Sequence, residues 1–122
     1  FPCLAVRNPL GGNWCGYVGV PESHPYFGKE YGEVNILCHG GLTFSDLCAP
    51  EDREHGICHI VEEGEDDRVW WLGFDCGHGG DVLPNRGTVW LLPGEYRTLE
   101  FVQIQCYLIA MQLFDVKRHT ID

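Results

Sequence analysis

The sequence predicts an α+β fold, a small and mostly antiparallel sheet of about five strands with one long C-terminal helix packed on it. Three observations carry that prediction. Turn signals crowd the first three quarters of the chain, short β-like runs lie between them, and the last quarter turns into a long apolar segment free of glycine and proline. With 122 residues and no linker, internal repeat or low-complexity tract, residues 1–122 read as a single domain around one core.

The strands follow in order. Trp14 to Val20 alternates, with Cys15, Tyr17 and Gly19 on one side and Trp14, Gly16, Val18 and Val20 on the other. Val34 to Leu42 places Val34, Ile36 and Cys38 on one face, and Asn35, Leu37 and His39 on the opposite one. Ile57 to Val61, Val69 to Asp75 and Thr88 to Leu92 complete the set. The Val69-Trp70-Trp71-Leu72-Gly73-Phe74 run is apolar on both faces, so it reads as a central strand with both tryptophans in the core. After Pro93-Gly94, the stretch from about Tyr96 to Phe114 suits a helix of about five turns. Leu99, Val102, Cys106, Ile109 and Leu113 form one apolar stripe, and Phe101, Ile104, Leu108 and Met111 a second beside it. That arc is wider than one sheet face covers, which predicts a homo-oligomer whose second stripe packs on another subunit.

Charge excludes some partners. Eight basic residues against eighteen acidic ones give a net charge of −10, the wrong sign for a phosphate-binding face, so no nucleic acid is expected. Eight of the acids lie between Glu51 and Asp67, with Arg53 the one base among them. Such a run reads first as a solvated loop, and second as a patch for a protein partner. No apolar run approaches the ~18–20 residues of a membrane span, so no membrane is expected. The seven cysteines are odd in number, the residues from Phe1 onward do not read as a signal peptide, and Cys106 lies among apolar residues of the predicted helix. A reducing, cytoplasmic setting is the reading, with room for one or two disulfides.

Chemistry concentrates at two strand ends. Gly73-Phe74-Asp75-Cys76-Gly77-His78-Gly79-Gly80-Asp81 brings a strand into a glycine-rich turn with a thiol, an imidazole and two carboxylates. Cys38-His39-Gly40-Gly41 repeats the pattern, and His24-Pro25 sits in a loop with Tyr26 and Tyr31. If these ends are neighbours, His24, His39, Asp75, His78 and Asp81 line one pocket, with Arg97 as a cation and Tyr17 as a stacking ring. The catalytic candidates are His39, Asp75, Cys76, His78 and Asp81: a thiolate needs a base and an orienting carboxylate, and two histidines can pass protons both ways. No metal and no cofactor is expected, with a structural zinc as the minor alternative. Cys38-His39, Cys58-His59 and Cys76-x-His78 offer zinc ligand types, but neighbours in a strand point to opposite faces and no C-x₂-C knuckle is present.

Several of these motifs occur together elsewhere. Asn13-Trp14-Cys15-Gly16-Tyr17-Val18-Gly19-Val20-Pro21, His24-Pro25 and His39-Gly40-Gly41-Leu42-Thr43 come first. Trp70-Trp71-Leu72-Gly73-Phe74-Asp75-Cys76-Gly77-His78 with Gly80-Asp81, and Tyr96-Arg97-Thr98-Leu99-Glu100-Phe101-Val102, follow in the same order. Across nearly the whole chain this pattern resembles a family of small, functionally uncharacterised proteins of tailed phages and prophages, in which alanine often stands where Gly77 and Gly79 are here. The resemblance implies an accessory protein acting in the bacterial cytoplasm, of the kind that counters host defence. The leading expectation is a protein that binds and sequesters a small nucleotide-like ligand. A hydrolase of such a ligand using the His/Asp/Cys set, and an inhibitor of a host protein, are the alternatives.

Overall fold

The computed structural model describes residues 1–48, 57, 68–78, 81–84 and 95–121. Its sheet contains β1 (Cys3–Arg7), β2 (Trp14–Pro21), β3 (Phe44–Leu47) and β4 (Val69–Asp75), all antiparallel, in the order β1-β2-β4-β3. The one α-helix among the described residues, α1 (Leu99–Ile121), packs on one face. The α+β arrangement is therefore as the sequence predicts, with four strands among the described residues in place of about five.

β2 and β4 are the two central strands, and their residues explain why. Val18, Val20, Leu72 and Phe74 point to the helix and are essentially solvent-free, and Trp71 is equally buried on the opposite face. Val102, Cys106, Ile109 and Leu113 of α1 close over the first group. Each fully buried aliphatic or phenyl side chain contributes about 1.5–3 kcal/mol against exposure. Gly16 sits where a side chain would run into the Phe74 ring and the Cys106 sulfur, so its missing Cβ lets the helix approach. The helix starts at Thr98, whose Oγ1 accepts the Phe101 N–H at 3.2 Å as an N-cap, with Glu100 in the first turn against the helix dipole.

Two expectations change. β1 is a strand outside the sequence prediction; it is an edge strand with mostly exposed side chains and so lacks the apolar alternation that marks a half-buried one. It is joined to β2 by a turn in which Asn8 Oδ1 accepts the N–H groups of Leu10 and Gly11. The Val34 to Leu42 segment, conversely, is not a strand. Its alternation does place Ile36 inward and Leu37 outward, but its backbone pairs with glutamine side chains of the helix. Gln112 accepts from Leu37 N at 2.8 Å and donates to Leu37 O at 2.7 Å, and Gln105 accepts from His39 N at 2.9 Å. Gln105 and Gln112 stand two turns apart on one helix face, so they hold an extended chain without a neighbouring strand.

The helix also runs further than predicted, to Ile121. Leu99–Arg118 thereby reaches the length and apolarity of a membrane span, with a mean hydropathy of 1.2, yet one stripe of it is committed to the sheet. Of that stretch 22% is buried. The predicted strands Ile57 to Val61 and Thr88 to Leu92 (Ile57 apart) and the acidic segment from Glu51 to Asp67 lie outside the described residues. Cys3, Cys15, Cys38, Cys76 and Cys106 are free, whereas Cys48 is disulfide-bonded.

Candidate functional site

The end of β4 and the segment held along α1 meet at Asp81. This carboxylate is 1% exposed at its side chain and carries three protein donors. His39 Nε2 lies 3.0 and 2.9 Å from its two oxygens, Arg97 Nε donates to Oδ1 at 3.0 Å, and the His78 N–H donates to Oδ2 at 3.0 Å. Burial on its own pushes the Asp81 carboxyl up, but the hydrogen bonds from His39, Arg97 and the His78 backbone outweigh it and hold the pKa below the ordinary value. Asp81 is thus a fixed negative charge. It orients His39 through Nε2, and among the described residues His39 Nδ1 makes no hydrogen bond. Arg97 is steadied by Glu95 at 3.1 Å and by the Phe101 ring beneath it, 4.9 Å from the guanidinium carbon.

His78 completes the cluster. Its ring stands edge-on to His39, with centroids 5.8 Å apart, and packs directly on Gly40. Gly40 has φ +69°, a left-handed conformation that glycine adopts without strain, and any side chain there would overlap the imidazole. His78 Nδ1 is enclosed and has no hydrogen bond among the described residues, at 3.4 Å from Asp75 Oδ1 and 3.7 Å from Asp81 Oδ2. An enclosed polar atom left in that state costs about 1–3 kcal/mol. The ligand-type atoms of His39, His78 and Asp81 all lie within 4.8 Å of one another.

Asp75 links this cluster to a cavity of about 400 Å³ on the sheet face away from the helix. Asp75 accepts from Thr43 Oγ1 at 3.2 Å and from Gly77 N at 2.9 Å. Tyr17, Phe44, Thr43, Asn13 and Cys15 line the same cavity. The Tyr17 ring covers Gly73, its partner across the β2–β4 pair, and meets Phe44 edge-on at 5.2 Å. Burial, reinforced by Cys15 and Asp75, raises the Tyr17 pKa, so its hydroxyl remains a donor at neutral pH.

Of the residues singled out in the sequence, His39, Asp75, His78, Asp81 and Arg97 come together, and Tyr17 lines the adjoining cavity. His24 stands elsewhere. It is buried under α1, with Nε2 at 2.7 Å from the Leu113 carbonyl and Nδ1 accepting the Tyr26 N–H at 2.9 Å, so both nitrogens are satisfied. Cys76 is adjacent to the cluster but poor as a nucleophile: it is 1% exposed, and burial with the nearby Asp81 charge pushes its thiol up to about 12. Sequence reasoning missed Thr43, Phe44 and Asn13, because only the β2–β4–β3 order brings them to Asp75. It missed Gln105 as well, the residue that sets the His39 backbone.

Fold and site together define a class: a small α+β domain with a carboxylate-anchored histidine pair joined through Asp75 to a modest polar and aromatic cavity. No family model matches the chain, and neither curated proteins nor solved structures supply a match.

Proposed function

We propose that the protein binds and retains a small nucleotide-like ligand in the cavity beside Asp75. The observation that supports this reading best is the cavity itself. Its volume suits a small molecule, two aromatic rings offer stacking surface, and Asp75, Asn13 and Thr43 offer hydrogen bonds. The described lining holds no lysine or arginine, since Arg97 is turned to Asp81 and Glu95. The part of a nucleotide that fits this lining is therefore the nucleoside, with base N–H groups donating to Asp75. In this reading the protein is a phage-type accessory factor that removes a nucleotide signal from its host. A cytoplasmic setting belongs to the same proposal, although the disulfide at Cys48 weighs against it.

A second copy of the chain is part of the proposal. Ile104, Tyr107, Leu108, Met111 and Phe114 form an exposed apolar stripe along α1, opposite the buried one. Glu100 and Arg118 lie on that same stripe at its two ends, eighteen residues or about five full turns apart. An antiparallel pairing of two α1 helices sets Glu100 of each copy against Arg118 of the other.

A turnover reading is favoured by one feature, the His39–Asp81 pair, in which a buried carboxylate orients an imidazole as general acid–base catalysis requires. Native mass spectrometry on protein purified from bacteria separates the two. Retention predicts an excess mass, released unchanged on denaturation and absent from Tyr17→Ala. Release of an altered molecule, or incubation of a nucleotide panel that yields products lost in His39→Ala, identifies a hydrolase. A chain that carries nothing and binds nothing from the panel overturns both.

A further inference from the structure

We propose that His39, His78 and Asp81 form a binding site for one divalent transition-metal cation of the zinc type. Two imidazole nitrogens and a carboxylate oxygen are the donor set that such borderline ions take, with further coordination positions left to water or ligand. The geometry is nearly assembled. His39 Nε2 and Asp81 are 2.9 Å apart, His78 Nδ1 and Asp81 Oδ2 are 3.7 Å apart, and the three ligand atoms fall within 4.8 Å. Ligands on opposite sides of an ion with bonds of about 2.0–2.2 Å are separated by a little over 4 Å, and adjacent ones by less, so only small side-chain rotations are needed.

Two features support a cation over a simple ion-pair network. His78 Nδ1 is enclosed and, among the described residues, without a hydrogen bond, although Asp75 and Asp81 stand on either side of it. With the ring proton on Nε2, Nδ1 has a lone pair for which a cation is a partner. Asp81 also has the support that metal-binding carboxylates receive: Arg97 holds Oδ1 and the His78 N–H holds Oδ2, which fixes the group while each oxygen keeps a second lone pair. In the metal-free state the neutral His39 ring donates its Nε2–H to Asp81; to ligate, Nε2 gives that proton to solvent while Nδ1 takes one from solvent, a change of tautomer with no net proton released. The sequence points to zinc only through cysteine–histidine neighbours, yet the trio uses none of the cysteines.

The site is independent of any ligand in the cavity, so its test needs the metal alone. Chelator-treated wild-type protein is titrated with Zn²⁺ by calorimetry and with Co²⁺ by visible absorption. One equivalent is expected to bind, and the cobalt spectrum to show nitrogen and oxygen ligation with no sulfur-to-metal charge-transfer band. His39→Gln and His78→Gln, checked for folding by circular dichroism, are each expected to weaken affinity by at least the ~10–100-fold that loss of an outer-shell partner costs. The cobalt spectrum of the wild type decides the ligand class even where a variant fails to fold. No stoichiometric binding, a sulfur band, or unchanged affinity in folded histidine variants overturns the proposal.

Discussion

His24 and Gly40 show how single residues serve this structure in ways their neighbours in sequence do not reveal. His24 is neutral by construction: burial lowers its pKa, Lys117 lowers it further, and the Leu113 carbonyl offsets only part of that. When the chain unfolds, His24 regains the ordinary histidine value near 6.5 and takes up a proton that the folded form resists. Its contribution is therefore complete above about pH 6.5 and is lost as pH falls through the lowered folded value. Urea midpoints measured at about pH 7.5 and about pH 5.5 should drop more for the wild type than for His24→Gln. At Gly40 the prediction is steric. Gly40→Ala forces a left-handed alanine, at about 1–2 kcal/mol, and drives a methyl group into the His78 ring. A loss of at least that size in chemical denaturation is expected, and an unchanged midpoint would show that the imidazole does not rest on Gly40.

At the scale of elements, α1 has two working faces. The inner one seals the sheet, and Gln105 and Gln112 beside it hold the segment that delivers His39. The outer one is apolar where solvent-exposed helices are polar: Tyr107 is 64% exposed, Phe114 58% and Ile104 52%. About Ile109 as centre, an antiparallel pair matches Ile104 with Phe114 and Tyr107 with Met111, with Glu100 facing Arg118 at each end. If the proposed dimer forms, Met111→Lys should shift it to a monomer in analytical ultracentrifugation. Glu100→Arg should weaken association, and Glu100→Arg with Arg118→Glu should restore it. Failure of the double variant to recover the wild-type state would rule out this register. A helix that partitions instead to anionic vesicles would identify lipid, and not a second copy, as what covers the stripe.

For the molecule as a whole, the sheet divides two tasks. Its helix-side face is the core, while part of the opposite face forms the cavity beside the His39–Asp81 cluster. Phe74 ties the layers, filling the space over Gly16 at 1% exposure. Phe74→Ala should cost about 3–5 kcal/mol. Domains of this size have about 0.05–0.15 kcal/mol per residue in hand, so that one change removes a large share of the total. Far-ultraviolet dichroism and tryptophan fluorescence should still report one coincident, lowered transition, as a single core requires; two separated transitions would contradict it.

Sequence by itself determined the class, the central strand and the helix. β4 matches the predicted strand residue for residue, and α1 covers most of the predicted helix but starts later and runs on to Ile121, because hydrophobic periodicity is a local signal that marks an element better than its ends. It also marked Asp75, His78 and Asp81, since glycines next to chemically active side chains are visible in one short stretch. What it lacked was pairing. β1 carries no apolar alternation, and Val34 to Leu42 alternates correctly yet finds glutamine side chains where a strand would be, so neither partner is written locally. His24 and His39 look alike in sequence, each a histidine in a turn-rich setting. Only the tertiary packing sends the first to a backbone carbonyl and the second to a buried carboxylate, because contacts 89 and 42 residues apart depend on which surfaces the core brings face to face.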